Sequence, residues 1–126
     1  MSIAVVIAAV AAGAVGALVR HLVARMFAGR PARLPWAVLI VNVAGSLIGG
    51  IVLGLSQSGV WGADARYIVL SGLCGGLTTF STFSTETIQL ALEGRMRAAA
   101  ISVGTNLVLG IGAAAAGWAI VAAAVQ

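Results

Sequence analysis

The chain has 126 residues, 61% of them hydrophobic and 8% charged, with a mean hydropathy of +1.12. A soluble domain of this size needs a charged, solvated surface that this composition does not supply, so the chain reads as one integral membrane domain over residues 1–126. Its net charge of +4 comes from seven arginines and no lysine, set against Asp64, Glu86 and Glu93. The arginines mostly flank apolar runs, where they anchor helix ends to headgroups. They do not cluster on a solvated face, which excludes nucleic acid as a partner.

In chain order, residues 3–26 supply the first apolar run of spanning length. It lacks the basic segment that opens a signal peptide and continues past Arg20, so a retained first membrane helix is expected. Arg20 has two readings: its stem can snorkel to the interface, or its charge can draw anions to a pore mouth. His21 has no second histidine to join it as a ligand and reads as an interfacial or packing residue. The link AGRPARLPW (28–36) carries two prolines and two arginines and ends at an interfacial tryptophan.

Residues 36–55 form the second predicted span, in which Asn42, Ser46, Gly45 and Gly49 make one small polar face. After the polar turn SQSGVWGADAR (56–66), residues 67–92 are long enough to span a third time. This segment holds GGLTTFSTFSTET (75–87), so the prediction is a third helix broken near residues 75–78. EGRMR (93–97) is a short basic link to the last span, residues 101–125, where Ser102, Asn106 and Gly110 align at a spacing of four. The fold class is therefore all-α, with four transmembrane helices. Cys74 is alone, excludes an intrachain disulfide, and reads as a small buried hydrophobe. Gly45/Gly49, Gly50/Gly54 and Gly72/Gly76 let backbones approach, and a dimer is the expected way to bury those faces.

Polar groups at membrane depth are costly and point to function. Asn42 and Asn106 each fit helix–helix bonding as well as a pore lining. Gly75 and Gly76 weaken the third helix, and an unwound segment exposes carbonyls that must be buried in protein or face a site. Phe80 and Phe83 share a helix face with hydroxyls around them. Hydroxyl and amide donors together with positive ring edges suit a small, strongly hydrated anion, whereas hydroxyls bonded back to their own helix would be structural.

The motif at residues 75–87 closely resembles the signature of the CrcB/Fluc fluoride channels, four-span bacterial membrane proteins. The resemblance extends to GALVRHL (16–22), VNVAGSLIGG (41–50) and Asn106. It implies a multi-pass protein of the bacterial plasma (inner) membrane that passively exports F⁻ and so confers fluoride resistance. It also implies an antiparallel, dual-topology dimer with two pores, and a structural Na⁺ held by backbone carbonyls matching Gly75 and Thr78. The fluoride pathway carried over comprises Asn42, Phe80 and Phe83, the polar track Ser81, Thr82 and Glu86, and also Ser84 and Asn106. Arg20 matches the first-span arginine.

The chain departs from the family pattern in two places. Where relatives often have tyrosine it has Ser102. Its links also differ in charge, with Arg25, Arg30, Arg33, Arg95 and Arg97 on one side against Arg66 and Asp64 on the other. That bias favours one orientation. The partner implied is thus either a second, inverted copy of this chain or an oppositely oriented homologue. The alternative of a small four-span exporter of cationic compounds lacks its first-span acidic residue. An enzyme lacks a nucleophile–base or metal constellation, and none is expected.

Overall fold

Ile3–Phe27, Trp36–Gln57, Ala63–Leu92 and Met96–Ala124 are each long and apolar enough to cross a membrane. They belong to a computed structural model that describes residues 1–29 and 35–125. The chain is a multi-pass membrane protein, nearly all helical among the described residues. Arg30 and Arg33 of the first link lie outside those residues.

Helix α1 (Ile3–Phe27) is rich in alanine and free of proline. The Ser2 hydroxyl caps it by accepting the Val5 amide at 3.3 Å. α2 (Trp36–Gln57) follows Pro35, whose fixed φ and missing amide suit a helix start. Gly29, Gly59 and Gly94 take φ of +74°, +77° and +78° just beyond three helix ends, a backbone state that stops a helix and suits glycine.

The third span is built from pieces. α3 (Ala63–Tyr67) runs into a π-helix (Ile68–Cys74) and then a single turn, α4 (Gly75–Leu77). The backbone opens at Thr78 (φ −82°, ψ 158°) and resumes as α5 (Ser81–Leu92). The interruption therefore sits at the C-terminal edge of the window read from the sequence. Gly75 itself keeps helical angles, φ −61° and ψ −40°. α6 (Met96–Ala124) starts ahead of residue 101, because a helix continues past the apolar core into its basic flank.

The glycine faces assigned by sequence to a dimer are largely covered within the chain. A Cβ at Gly72 would lie 2.5 Å from the Ala9 carbonyl oxygen, and one at Gly76 would strike the backbone of Gly13. These contacts seat the first half of the third span on α1. α2 and α6 pair likewise: a Cβ at Gly117 would lie 2.5 Å from the Leu47 carbonyl oxygen, and one at Gly50 would strike the Ala114 carbonyl. Backbones that approach this closely gain dispersion contacts that lipid cannot replace. Ile7, Val10, Leu107, Val108 and Ile120 stay exposed, as lipid-facing residues should.

Candidate functional site at the break of the third span

The opened backbone at Thr78 and Thr79 needs partners, because lipid offers none. Asn42 on α2 supplies them. Its Oδ1 accepts the Thr79 amide at 2.8 Å, and its Nδ2 donates to the Thr79 carbonyl at 3.1 Å. The second Nδ2 proton reaches Asn106 Oδ1 on α6 at 3.3 Å, and Asn106 Nδ2 donates to the Ser102 carbonyl at 2.8 Å. Asn42 and Asn106, read from the sequence as separate faces, thus form one chain of hydrogen bonds ending on the break.

Thr79 is buried at 7% exposure and starts the second half-helix. Its Oγ1 accepts the Thr82 amide at 3.1 Å and donates to Thr82 Oγ1 at 3.1 Å, with Ser81 Oγ 3.4 Å away. The hydroxyl thus satisfies a first-turn amide of α5 as a capping side chain would, from the residue before the Phe80 cap. Thr79 was not singled out from the sequence. The signal available was a hydroxyl residue three positions before another at the foot of a helix.

The carbonyls of residues 75–78 lose their usual helical donors, and for Gly75 and Thr78 the new acceptors of those donors are visible. In an unbroken helix the Gly75 oxygen would accept the Thr79 amide and the Thr78 oxygen the Thr82 amide. Those amides go instead to Asn42 Oδ1 and Thr79 Oγ1. The Thr78 side chain turns away and donates to the Cys74 carbonyl at 2.8 Å. Freed carbonyl oxygens at a break, Gly75 and Thr78 among them, are donors of the kind that suits a hard cation. Gly75 and Thr78 both line an open groove of about 770 Å³ beside Gly45, Ser46 and Gly49.

On the other side of the break lies a cavity of about 300 Å³, lined by Arg20 and His21 of α1 together with Thr79, Thr82 and Glu86. Glu86 Oε2 is buried and has no hydrogen-bond partner among the described residues. Arg20 and Glu86, far apart in sequence, therefore open onto one space with the Thr82 hydroxyl. The Phe80 and Phe83 rings lie 6.0 Å apart between centroids and are tilted by 46°. Phe83 is half-buried, while Phe80 projects from the chain at 79% exposure.

The hydroxyls divide into two groups. Thr87 bonds back to the Phe83 carbonyl at 2.7 Å, and Thr105 to Ile101 at 2.7 Å, so these serve their own helices. Ser81 and Thr82 belong to the cluster around Thr79, whereas Ser84 takes no part in that cluster. Ser102 is 2% exposed, its hydroxyl has no partner among the described residues, and its carbonyl anchors Asn106.

A family model described as CrcB-like protein, Camphor Resistance (CrcB), matches residues 7–118. A fluoride-specific ion channel FluC of Nitrobacter winogradskyi is 42% identical over 120 residues, covering 92% of this chain and 94% of that protein. The protein of that name from Deinococcus radiodurans is 44% identical over 111 residues, covering 83% and 85%. A fluoride-specific ion channel FluC 1 of Streptomyces avermitilis is 38% identical over 109 residues, covering 86% and 88%. With the family model spanning most of the chain and these relatives aligned over nearly their whole lengths, the chain belongs to the CrcB family.

Proposed function

We propose that the chain is a fluoride-selective channel that lets F⁻ leave the cytoplasm down its gradient and so confers fluoride resistance. The observation that carries this reading is the third-span break, where the hydroxyl residues Thr79 and Thr82 line a cavity with Arg20, and the Phe80–Phe83 pair lies on the same stretch of chain. The names of its relatives point the same way. Weak acid enters as HF, dissociates in the more neutral cytoplasm, and leaves as the ion. No enzymatic step is needed for this, and cation export has no structural observation in its favour.

In this reading Arg20 raises the local anion concentration at the cavity mouth. Hydroxyls of Ser81, Thr82 and Ser84 and the ring edges of Phe80 and Phe83 replace water around the ion. Asn42 and Asn106 keep their amides bonded to one another and to the break, so an arriving anion competes for the 3.3 Å bond between them. Such competition lets the ion bind and leave. Glu86, on the same cavity wall, limits how tightly an anion is held there.

The working unit is an antiparallel dimer, with an inverted copy or an oppositely oriented homologue in the groove beside Gly45 and Gly49. Phe80, exposed on the single chain, is free to meet such a partner. Gly75 and Thr78 line that groove, and their carbonyls would hold a structural Na⁺ shared with the partner. When bound, the ion supplies a fixed positive charge that ties the opened backbone together.

The test is fluoride release from liposomes carrying the purified protein, measured with a fluoride electrode beside a chloride control. Fluoride release without chloride release is the expected result. Equal release of both ions would defeat the selectivity, and release of neither would defeat the homodimeric channel.

A further inference from the structure

We infer that Thr79 is the positioning residue that opens the cation site at the break. The inference deepens the reading above and rests on its sodium assignment. Freeing a carbonyl inside a helix requires that its usual amide find another acceptor, since a buried unpaired amide is costly. The Gly75 and Thr78 carbonyls are among those freed here, and the diversion of both their usual donors runs through Thr79. Its own amide leaves Gly75 for Asn42 Oδ1 at 2.8 Å, and its hydroxyl takes the Thr82 amide from Thr78 at 3.1 Å.

A threonine suits both tasks. The residue is buried at 7% exposure, so solvent cannot substitute for its hydroxyl as a cap. The hydroxyl accepts from one group and donates to another, the Thr82 side chain, which fixes its lone pair toward the Thr82 amide. Asn42 could not hold the Thr79 backbone alone, because an amide side chain rotates about its terminal torsion. The bond from Asn42 Nδ2 to Asn106 Oδ1, with Asn106 anchored on the Ser102 carbonyl, fixes that rotation. The break is thus set from three helices, with Thr79 at the meeting point. Thr78, whose carbonyl is one of those freed, plays a different part: its own hydroxyl turns back to Cys74.

Thermal unfolding of the full-length protein in detergent, titrated with NaCl against N-methyl-D-glucamine chloride, tests this directly. A ligand that binds only the folded state raises the midpoint with its concentration. Wild-type protein should show a sodium-dependent rise. Thr79→Ser, which keeps the hydroxyl, should retain it, and Thr79→Val should need about tenfold more sodium or lose the response. A merely structural threonine would lower the midpoint equally in both salts, and an unchanged sodium response in Thr79→Val would overturn the inference. If the Thr79→Val protein does not fold, Thr79→Ala removes the same hydroxyl with less bulk and is judged by the same criterion. Loss of the response in Thr79→Ser would also overturn it, since the hydroxyl would then not be the acting group. Fluoride flux from the same wild-type preparation separates the two readings. A sodium response that depends on the Thr79 hydroxyl, without wild-type flux, supports the role of Thr79 and defeats the homodimeric channel, whereas flux without a sodium response defeats the role of Thr79 and leaves the channel standing.

Discussion

Asn42 meets Thr79 as a neighbouring strand would, taking its amide at 2.8 Å and giving a proton to its carbonyl at 3.1 Å. One side chain thereby satisfies both backbone groups of a buried residue in an opened helix, 37 positions away in sequence.

Asn42→Asp should break this pairing, because a carboxylate brings a second acceptor to the Thr79 carbonyl and to Asn106 Oδ1. Two donor bonds become two repulsions. We expect a loss of about 1–3 kcal/mol in stability and at least a tenfold drop in fluoride flux. Flux and thermal midpoint measured on one preparation would show both; wild-type values for each would refute the pairing.

Phe80→Ile and Phe83→Ile should behave differently in stability and alike in transport. Phe80 is exposed on the single chain, so its replacement removes little packing, while the half-buried Phe83 loses more. Each removes the ring edges, and flux should fall about tenfold. Full flux in both, from protein that elutes normally on gel filtration, would remove the rings from the pathway.

Gly72→Ala should destabilise the protein by about 1–3 kcal/mol, since its Cβ would lie 2.5 Å from the Ala9 carbonyl oxygen. Gly112→Ala has nothing within 4 Å of its added Cβ and serves as the comparison. Melting in detergent should separate the two; equal midpoints would mean that the approach of α1 to the π-helical segment is looser than described.

Arg20→Gln should raise the fluoride concentration needed for half-maximal flux several-fold and leave the saturating rate nearly unchanged, because Arg20 lines the cavity without joining the hydrogen-bonded cluster at the break. The difference from wild type should shrink at high ionic strength, where the field is screened. A difference that persists undiminished in high salt would point to direct contact instead.

Hydropathy made the four spans legible, and a run of hydroxyls behind two glycines marked the third as broken. What it could not reveal was where each polar group finds its partner. Gly75 and Gly76 looked like the weak point, yet Gly76 remains helical and packs on Gly13, and the chain opens only afterwards. Helix propensity is local, but the side chains that hold the opened backbone of Thr79, Asn42 and behind it Asn106, lie far off in sequence. The glycine pairs have the same limit. Their spacing marks a close approach without naming the surface approached, which for Gly50, Gly72 and Gly76 is a neighbouring helix of the chain, while Gly45 and Gly49 also line the open groove.

The π-helical stretch Ile68–Cys74 acts as a phase shifter. A helix advances about 100° per residue, and a π turn carries one residue more than an α turn. Relaxing this stretch to α geometry at unchanged length would turn everything upstream against everything downstream by about 100°. Deleting one residue from it would instead let six α residues cover nearly the same turn and keep both ends near their present phase. The stretch thus absorbs one residue locally, and a single deletion here should be better tolerated than one elsewhere in the span.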